Sequence, residues 1–423
     1  MTASFPHRAL AEVTVNFDAK RRPVKSADRK PGPFPYYGAQ GIADHVHDYI
    51  FDGEYMLVAE DGENLRSRKE PIALLAKGKF WVNNHAHILQ GNKQADTRFL
   101  YYAINLADIS GYVTGSTIPK LSQSSLNRVM VPCPSLEEQM QIVRLLGSLD
   151  DKIELNRRMN ETLEAMAQAI FRDWFVDFGP TRRKLEGATD PLTIMGGLVQ
   201  DTERAQALAD LFPTALGDDE LPEGWNETTL QSYASLNPES WSPKTAPDQV
   251  EYVDLANTKW GTIESTSVYS WEDAPSRARR IVRSGDTIVG TVRPGNGSYA
   301  FVGRSGLTAS TGFAVLRPKQ PVFNELVNCA ATSPENIQRL EKLADGGAYP
   351  AVKPEVVIAT TLPLVPSDVA SGFSGFAAPM FAKMESSKEE NRTLAATRDL
   401  LLPKLMSGEI RLSEAEGLME AAQ

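Results

Sequence analysis

The sequence predicts an α+β protein: two mixed α/β domains in pseudo-two-fold arrangement, separated by two long helices that pair as an antiparallel coiled coil. Three observations carry this expectation. The stretch Leu136–Phe175 has no proline and a single glycine, Gly147. A second helical stretch, Phe376–Leu405, lies near the C-terminus. Ahead of each stands a segment of short β-rich runs broken by turn residues.

The first helix is justified by its apolar spacing. Ile142, Leu149, Asn156, Leu163 and Ile170 share one heptad position, and Leu146, Ile153, Asn160, Ala167 and Trp174 share the other. A 3-4 spacing kept over several heptads is a coiled-coil seam. A helix of about 40 residues is about 60 Å long. It cannot bury such a seam alone, so it needs a partner helix.

The C-terminal stretch supplies that partner. Shifted by 231 positions, the two helices register without gaps: Asn160 falls on Asn391, Thr162 on Thr393, Leu163 on Leu394 and Ala165 on Ala396. Lys152 and Glu154 fall on Lys383 and Glu385. Upstream, Gly115 meets Gly346, Pro119 meets Pro350 and Pro132 meets Pro363. A unit this long means two domain-sized halves rather than a solenoid. Asn160 and Asn391, both on the seam, are candidates for fixing register, because a buried asparagine pair costs stability and specifies alignment. Pro403 is expected to end or kink the second helix near Leu402.

The globular segments follow from shorter signals. In residues 1–134, the runs at 54–65, 71–84 and 85–89 read as strands, Asp61-Gly62 as a turn and Lys77-Gly78 as a weaker one. Residues 97–109 read as helix. The first long helix and its flanks take 135–178, and 179–222 is a polar linker with a short helix at 202–212. Residues 223–366 form the second domain, with strands at 286–294, 298–303 and 311–319 and a helix at 324–344. The C-terminal helix and tail take 367–423.

Composition sets the class. Of 423 residues, 42% are hydrophobic and 23% charged, as in ordinary folded proteins. No run approaches the ~18 apolar residues of a membrane span. The N-terminus lacks an apolar leader, and the two cysteines, Cys133 and Cys329, are far apart, so a reducing cytoplasm is expected. The net charge of −10 argues against nucleic acid when averaged over the molecule. Basic clusters nonetheless stand at 20–30 and 276–283.

Motifs for chemistry are mostly absent. There is no GxxxxGK[ST] loop, no GxGxxG opening a helix, no Asn-Pro-Pro-aromatic sequence and no GxSxG. Four of the five histidines form two H-x-H pairs, His45/His47 and His85/His87. On a strand such a pair shares one face, which suits metal ligation. No further ligands stand at recognisable spacing. The metal-dependent hydrolase this would imply competes with a plain reading: His87 packed in a core strand and His85 in a turn or at the surface.

Several stretches together carry a family resemblance. They are YYGAQGI (36–42), DGEYMLVAEDG (52–62), GKFWVNNHAHIL (78–89) and the run from Val131 through the first long helix. In the second half they are LPEGW (221–225), GDTIVGTVRPGNGSYAFVG (285–303) and KLMSGEIRL (404–412). With the duplicated helices they resemble the specificity (S) subunit of type I restriction–modification systems over nearly the whole chain. The resemblance implies a non-catalytic subunit whose domains are target-recognition domains, each reading one half of a split sequence in double-stranded DNA. The paired helices would set the gap and dock two methyltransferase subunits, with restriction subunits joining. S-adenosylmethionine, ATP and Mg²⁺ would belong to those partners, leaving no cofactor in this chain. A coiled-coil scaffold that reads no DNA is the alternative.

Residue types that meet phosphates and base edges nominate the contacts. In the first domain they are Arg21, Arg22, Lys25, Tyr37, Gln40 and Asn84. In the second they are Arg279, Arg280, Arg293, Asn296, Tyr299 and Thr311.

Overall fold

A computed structural model describes residues 5–415 and 417. The chain forms two compact units: residues up to Leu155 with those from Glu390 onward, and Asn156–Glu389. Both are mixed helix and sheet, and each takes in part of both long helices, Leu136–Phe175 and Ser367–Ser407.

In the first unit, six strands line up in the spatial order Thr14–Asn16, Ala86–Gly91, Phe51–Ala59, Ala73–Val82, Pro31–Gly38, Gly41–Val46. Met56 and Val58 of the third strand enter one core with Phe99 and Leu100 of the helix Thr97–Leu106. Leu57, between them, enters a second core with Phe51, Phe80 and Ile88. Both faces of this strand are covered, so its sequence reads as a continuous apolar run rather than an alternation. Gly78, expected at a turn, instead lies inside a strand opposite Gly53, at φ +74°.

The second unit carries two four-stranded sheets. One runs Ala234–Leu236, Phe313–Pro318, Thr287–Gly290, Tyr299–Phe301, and the other Ser267–Ser270, Gln249–Val253, Leu307–Ser310, Ala278–Ile281. The helix expected over 324–344 is two, Asn324–Thr332 and Pro334–Leu343. Pro334 cannot continue the first, and Ser333 caps the second by accepting the Asn336 amide. The expected linker after Phe178 is also structured. Helices Gly179–Leu185 and Pro191–Ile194 bury Ile194 and Met195 in the main core of this unit.

One ladder occurs in both units. Met130–Pro132 pairs with His7–Ala9, and Thr361–Leu364 pairs with Asn226–Thr229, each ladder leading into a long helix. The first helix opens with a capping box: Ser135 Oγ accepts the Glu138 amide, and the Glu138 carboxylate accepts the Ser135 amide at 3.0 Å. The second closes at Gly408, which takes the left-handed conformation at φ +75°. Pro403 does not end that helix as expected, since the helix runs on to Ser407. It and Pro379 lie on exposed positions, and the carbonyl-bearing residues four places earlier, Asp399 and Gly375, are exposed too. Water can take the carbonyls that each proline leaves unbonded.

Within each unit the two helix segments run antiparallel. In the first, Ile142 and Leu146 share a core with Leu401 and Leu405. In the second, Ile170, Phe171 and Trp174 pack with Phe373, Ala377 and Phe381. The shift of 231 carries Ile142 onto Phe373, Leu146 onto Ala377, Ile170 onto Leu401 and Trp174 onto Leu405. Asp150 accepts from Arg398 across the first seam at 2.8 Å and from Tyr102 of the domain at 2.5 Å. The second seam has Phe381 at the place of Asp150, stacked edge-on to Phe301 with ring centres 4.9 Å apart. Among the described residues no helix is long and apolar enough to cross a membrane.

Candidate nucleic-acid interface

The first unit builds an exposed rim around the turn at Glu60–Gly62. The Glu60 amide donates to His85 O at 2.9 Å, and the Leu121 amide donates back to Glu60 O at 2.8 Å. The Gly62 amide donates to Pro119 O at 3.0 Å, with Gly62 at φ +116°, where a side chain is disfavoured. The loop Gly115–Pro119 is closed at its base by reciprocal bonds between Thr114 and Lys120, at 2.8 and 2.7 Å. Arg66 bridges its carbonyls, donating to Gly115 O and Ser116 O. Gln40, at the tip of the hairpin joining Pro31–Gly38 to the edge strand Gly41–Val46, approaches Gly62, and Asn84 is exposed just before His85.

The second unit repeats this arrangement 231 positions on. The Thr291 amide donates to Gly312 O at 2.8 Å, the Val352 amide to Thr291 O at 2.9 Å and the Arg293 amide to Pro350 O at 2.7 Å. The loop Gly346–Pro350 is closed by reciprocal bonds between Asp345 and Ala351, at 3.0 and 2.9 Å. Arg293 stands where the first unit has Gly62, and keeps a left-handed φ of +48°. That conformation costs a non-glycine residue about 1–2 kcal/mol. Its guanidinium lies 4.6 Å over the Tyr349 ring and donates to Ala348 O. Thr311 corresponds to Asn84, because the next residue in each case, Gly312 or His85, accepts the turn's amide.

The structure therefore gathers Gln40 and Asn84 on one rim, and Arg293, Asn296 and Thr311 on the other. Arg22 and Lys25 are exposed on the loop that approaches Trp81, whose indole donates to Arg22 O at 2.6 Å. Arg279 is stacked on Trp271 at 4.3 Å, and Arg280 donates to Ser240 Oγ at 3.2 Å. Burial lowers the Arg280 guanidinium below its ordinary pKa.

Other nominated residues pack against the fold. Tyr299 is 8% exposed, edge-on to Trp260 at 6.0 Å, and burial pushes its hydroxyl up. Tyr37 packs edge-on to Phe80 at 5.6 Å, and burial raises its hydroxyl too. Arg21 is pinned beneath the first rim, bonded to Glu60 at 2.6 Å and to Ala86 O at 3.0 Å. Its charge holds a turn rather than reaching outward. Sequence reasoning missed the exposed loop tips, Ile118 and Tyr349. The signal was present, because the shift that pairs Gly115 with Gly346 pairs these two as well.

Two of the histidines, His85 and His87, serve the fold. His87 is buried, with Nδ1 2.6 Å from Asp18 Oδ2 and Nε2 2.8 Å from Leu121 O. Each ring nitrogen thus faces an oxygen of the fold. Burial raises the Asp18 carboxyl, but the His87 bond and charge, the Ile88 amide and Arg21 outweigh it and hold the group below its ordinary value. His85 meets Asp61 at 2.7 Å in the turn before the strand, while His45 and His47 are exposed. Among the described residues no group of three or more His, Cys, Asp or Glu side chains is placed to hold a metal ion.

Comparison with known proteins adds four findings. The family described as type I restriction modification DNA specificity domain matches residues 7–165. A Haemophilus influenzae protein named as a type I restriction enzyme specificity subunit is 37% identical over 142 residues, 34% of this chain and 36% of that one. The type I restriction enzyme MjaIX specificity subunit of Methanocaldococcus jannaschii is 24% identical over 420 residues, 90% of this chain and 88% of that one. A crystal structure of the S subunit of a type I restriction-modification system from M. genitalium matches with a TM-score of 0.54 at 14% identity. It covers 95% of this chain and 96% of that one, a likeness of fold.

Proposed function

The chain belongs to the family of type I restriction–modification specificity subunits, and from that premise we propose that it directs a methyltransferase–restriction assembly to a split DNA target. It is a targeting subunit rather than the catalyst. Each rim reads one half-site. Gln40 and Asn84 meet base edges in the first, with Arg22 and Lys25 on phosphates. Asn296 and Thr311 meet base edges in the second, with Arg293, Arg279 and Arg280 as its cations. Amide and hydroxyl side chains suit base edges, and guanidinium and ammonium groups suit phosphates.

The paired helices set the spacer between half-sites and dock two methyltransferase subunits, with Asn160 and Asn391 holding register. Two half-sites on one duplex face require a separation near a helical turn or more, which a long rigid helix pair can supply. S-adenosylmethionine, ATP and Mg²⁺ belong to the partner subunits. At a net charge of −10 the chain alone binds DNA weakly. Partners supply much of the phosphate contact, so the affinity of the assembled complex falls steeply with salt.

The observation that carries this reading is the equivalence of the two rims: the same turn, the same loop and polar side chains at matching places, on two otherwise different sheets. The test is the methylation pattern of DNA in cells expressing this chain with its methyltransferase. Two short half-sites around a fixed gap are expected, and removal of residues 223–366 should abolish or change one half-site alone. An intact complex that methylates no split motif would overturn the reading.

A further inference from the structure

The loops Gly115–Pro119 and Gly346–Pro350 hold a large apolar residue at the same place. Ile118 is 64% exposed and Tyr349 71% exposed. Neither contributes to a core, so folding does not account for them. Each loop is closed by the same pair of backbone bonds and tied through its proline carbonyl to the equivalent turn. Each has an exposed arginine on its carbonyls, Arg66 in one and Arg293 in the other. These arginines come from different places in the two halves, since the shift carries Arg66 onto Gly297. Among the described residues neither guanidinium is paired with a carboxylate, in a chain where acidic residues outnumber basic ones 54 to 44.

The sheets around these loops differ: six strands in one unit, two sets of four in the other. What two halves keep in common while their surroundings differ suits something that both of their targets share. Double-stranded DNA offers sugar–phosphate walls and groove floors at any sequence. An apolar tip beside a carboxylate-free guanidinium matches a groove edge and its flanking phosphate. The side chains nominated for base reading, Gln40 and Asn84 or Asn296 and Thr311, ring the same turns.

We propose that Ile118 and Tyr349 are groove-entering tips, each lodged in the duplex of its own half-site with Arg66 or Arg293 on an adjoining phosphate. The proposal rests on the specificity-subunit reading and names the contact which that reading leaves open.

The test uses the complex assembled with its methyltransferase and a duplex carrying the methylated motif. The photo-cross-linker p-benzoylphenylalanine is placed at 118, at 349 and, for reference, at 311. Cross-links from 118 and 349 to DNA, each within its own half-site, are expected. Ile118→Ala and Tyr349→Ala should each lower methylation roughly tenfold, the scale of one lost base-pair contact. Cross-links from 118 and 349 to the methyltransferase alone, or to nothing while 311 still reaches DNA, would overturn the proposal and leave the function standing. Failure of the complex to hold any duplex would remove the specificity reading, and this proposal with it.

Discussion

Asn160 and Asn391 stand 231 positions apart and make the same hydrogen bond: Asn160 Nδ2 donates to Met384 O at 3.4 Å, and Asn391 Nδ2 donates to Ile153 O at 3.3 Å. The acceptors are separated by the same interval. Each unit thus repeats, in its own copy of the seam, one polar contact between antiparallel helix segments. The amide oxygen of Asn160 is buried with no hydrogen-bond partner, so this contact is made at a cost.

That cost gives a measurable sign. Asn160→Leu should raise stability by about 1 kcal/mol, since an apolar side chain replaces an incompletely satisfied amide. Thermal denaturation reads it. A lower Tm would mean that the bond to Met384 outweighs the penalty of the unpaired oxygen.

Trp174 is fully buried, with ring centres of Phe212, Phe376 and Phe373 at 5.1, 5.9 and 6.3 Å. Trp174→Ala should cost about 3–5 kcal/mol, as large-to-small changes at well-packed aromatic sites do. The denaturant midpoint measures it, and Trp174→Phe should recover most of the loss. A change below about 1 kcal/mol would place this site outside the cooperative core.

The buried Asp18–His87 pair makes the first unit sensitive to acid. The folded carboxyl sits below its ordinary value, so its stabilisation is present above the unfolded aspartate range and is lost as pH falls through the folded value. Asp18→Asn should cost about 3–5 kcal/mol at neutral pH, because it strips one partner from a buried pair. It should also flatten the stability profile below the usual carboxylate range. Chemical denaturation across pH tests both, and an unchanged profile would count against the pair.

Contacts at the rims should separate by half-site. Asn84→Ala and Thr311→Ala should each cost about 1–3 kcal/mol in binding by the assembled complex, each relaxing specificity in a different half-site. Arg293→Ala should weaken binding to all sequences and reduce the salt slope by about one. Tyr299→Phe should change neither, because that hydroxyl faces a packed interior. Titrations with half-site-scrambled duplexes at several salt concentrations distinguish these outcomes.

Local pattern made the first long helix legible: heptad spacing without a breaker needs little else. It misjudged only where the second ends. Proline is read as a stop, yet whether it breaks a helix depends on where the freed carbonyl points, and Pro379 and Pro403 both lie on exposed positions. It also left 179–198 as a linker, since short helices gain their stability from the core they cover rather than from propensity.

By itself the sequence determined the two-half organisation, the seam residues and the family resemblance, because these rest on order and spacing along one chain. Only the tertiary structure decided which polar residues face outward. Arg21 and Arg293 are alike in sequence terms, and one is pinned under a turn while the other lies beside an exposed ring. The correspondence of Asn84 with Thr311 does not follow the 231-residue shift at all. It comes from two amides, Glu60 and Thr291, that find their acceptors on a neighbouring strand end. Side-chain direction is set by such long-range bonds and by what remains uncovered once the cores are filled, and no local pattern encodes either.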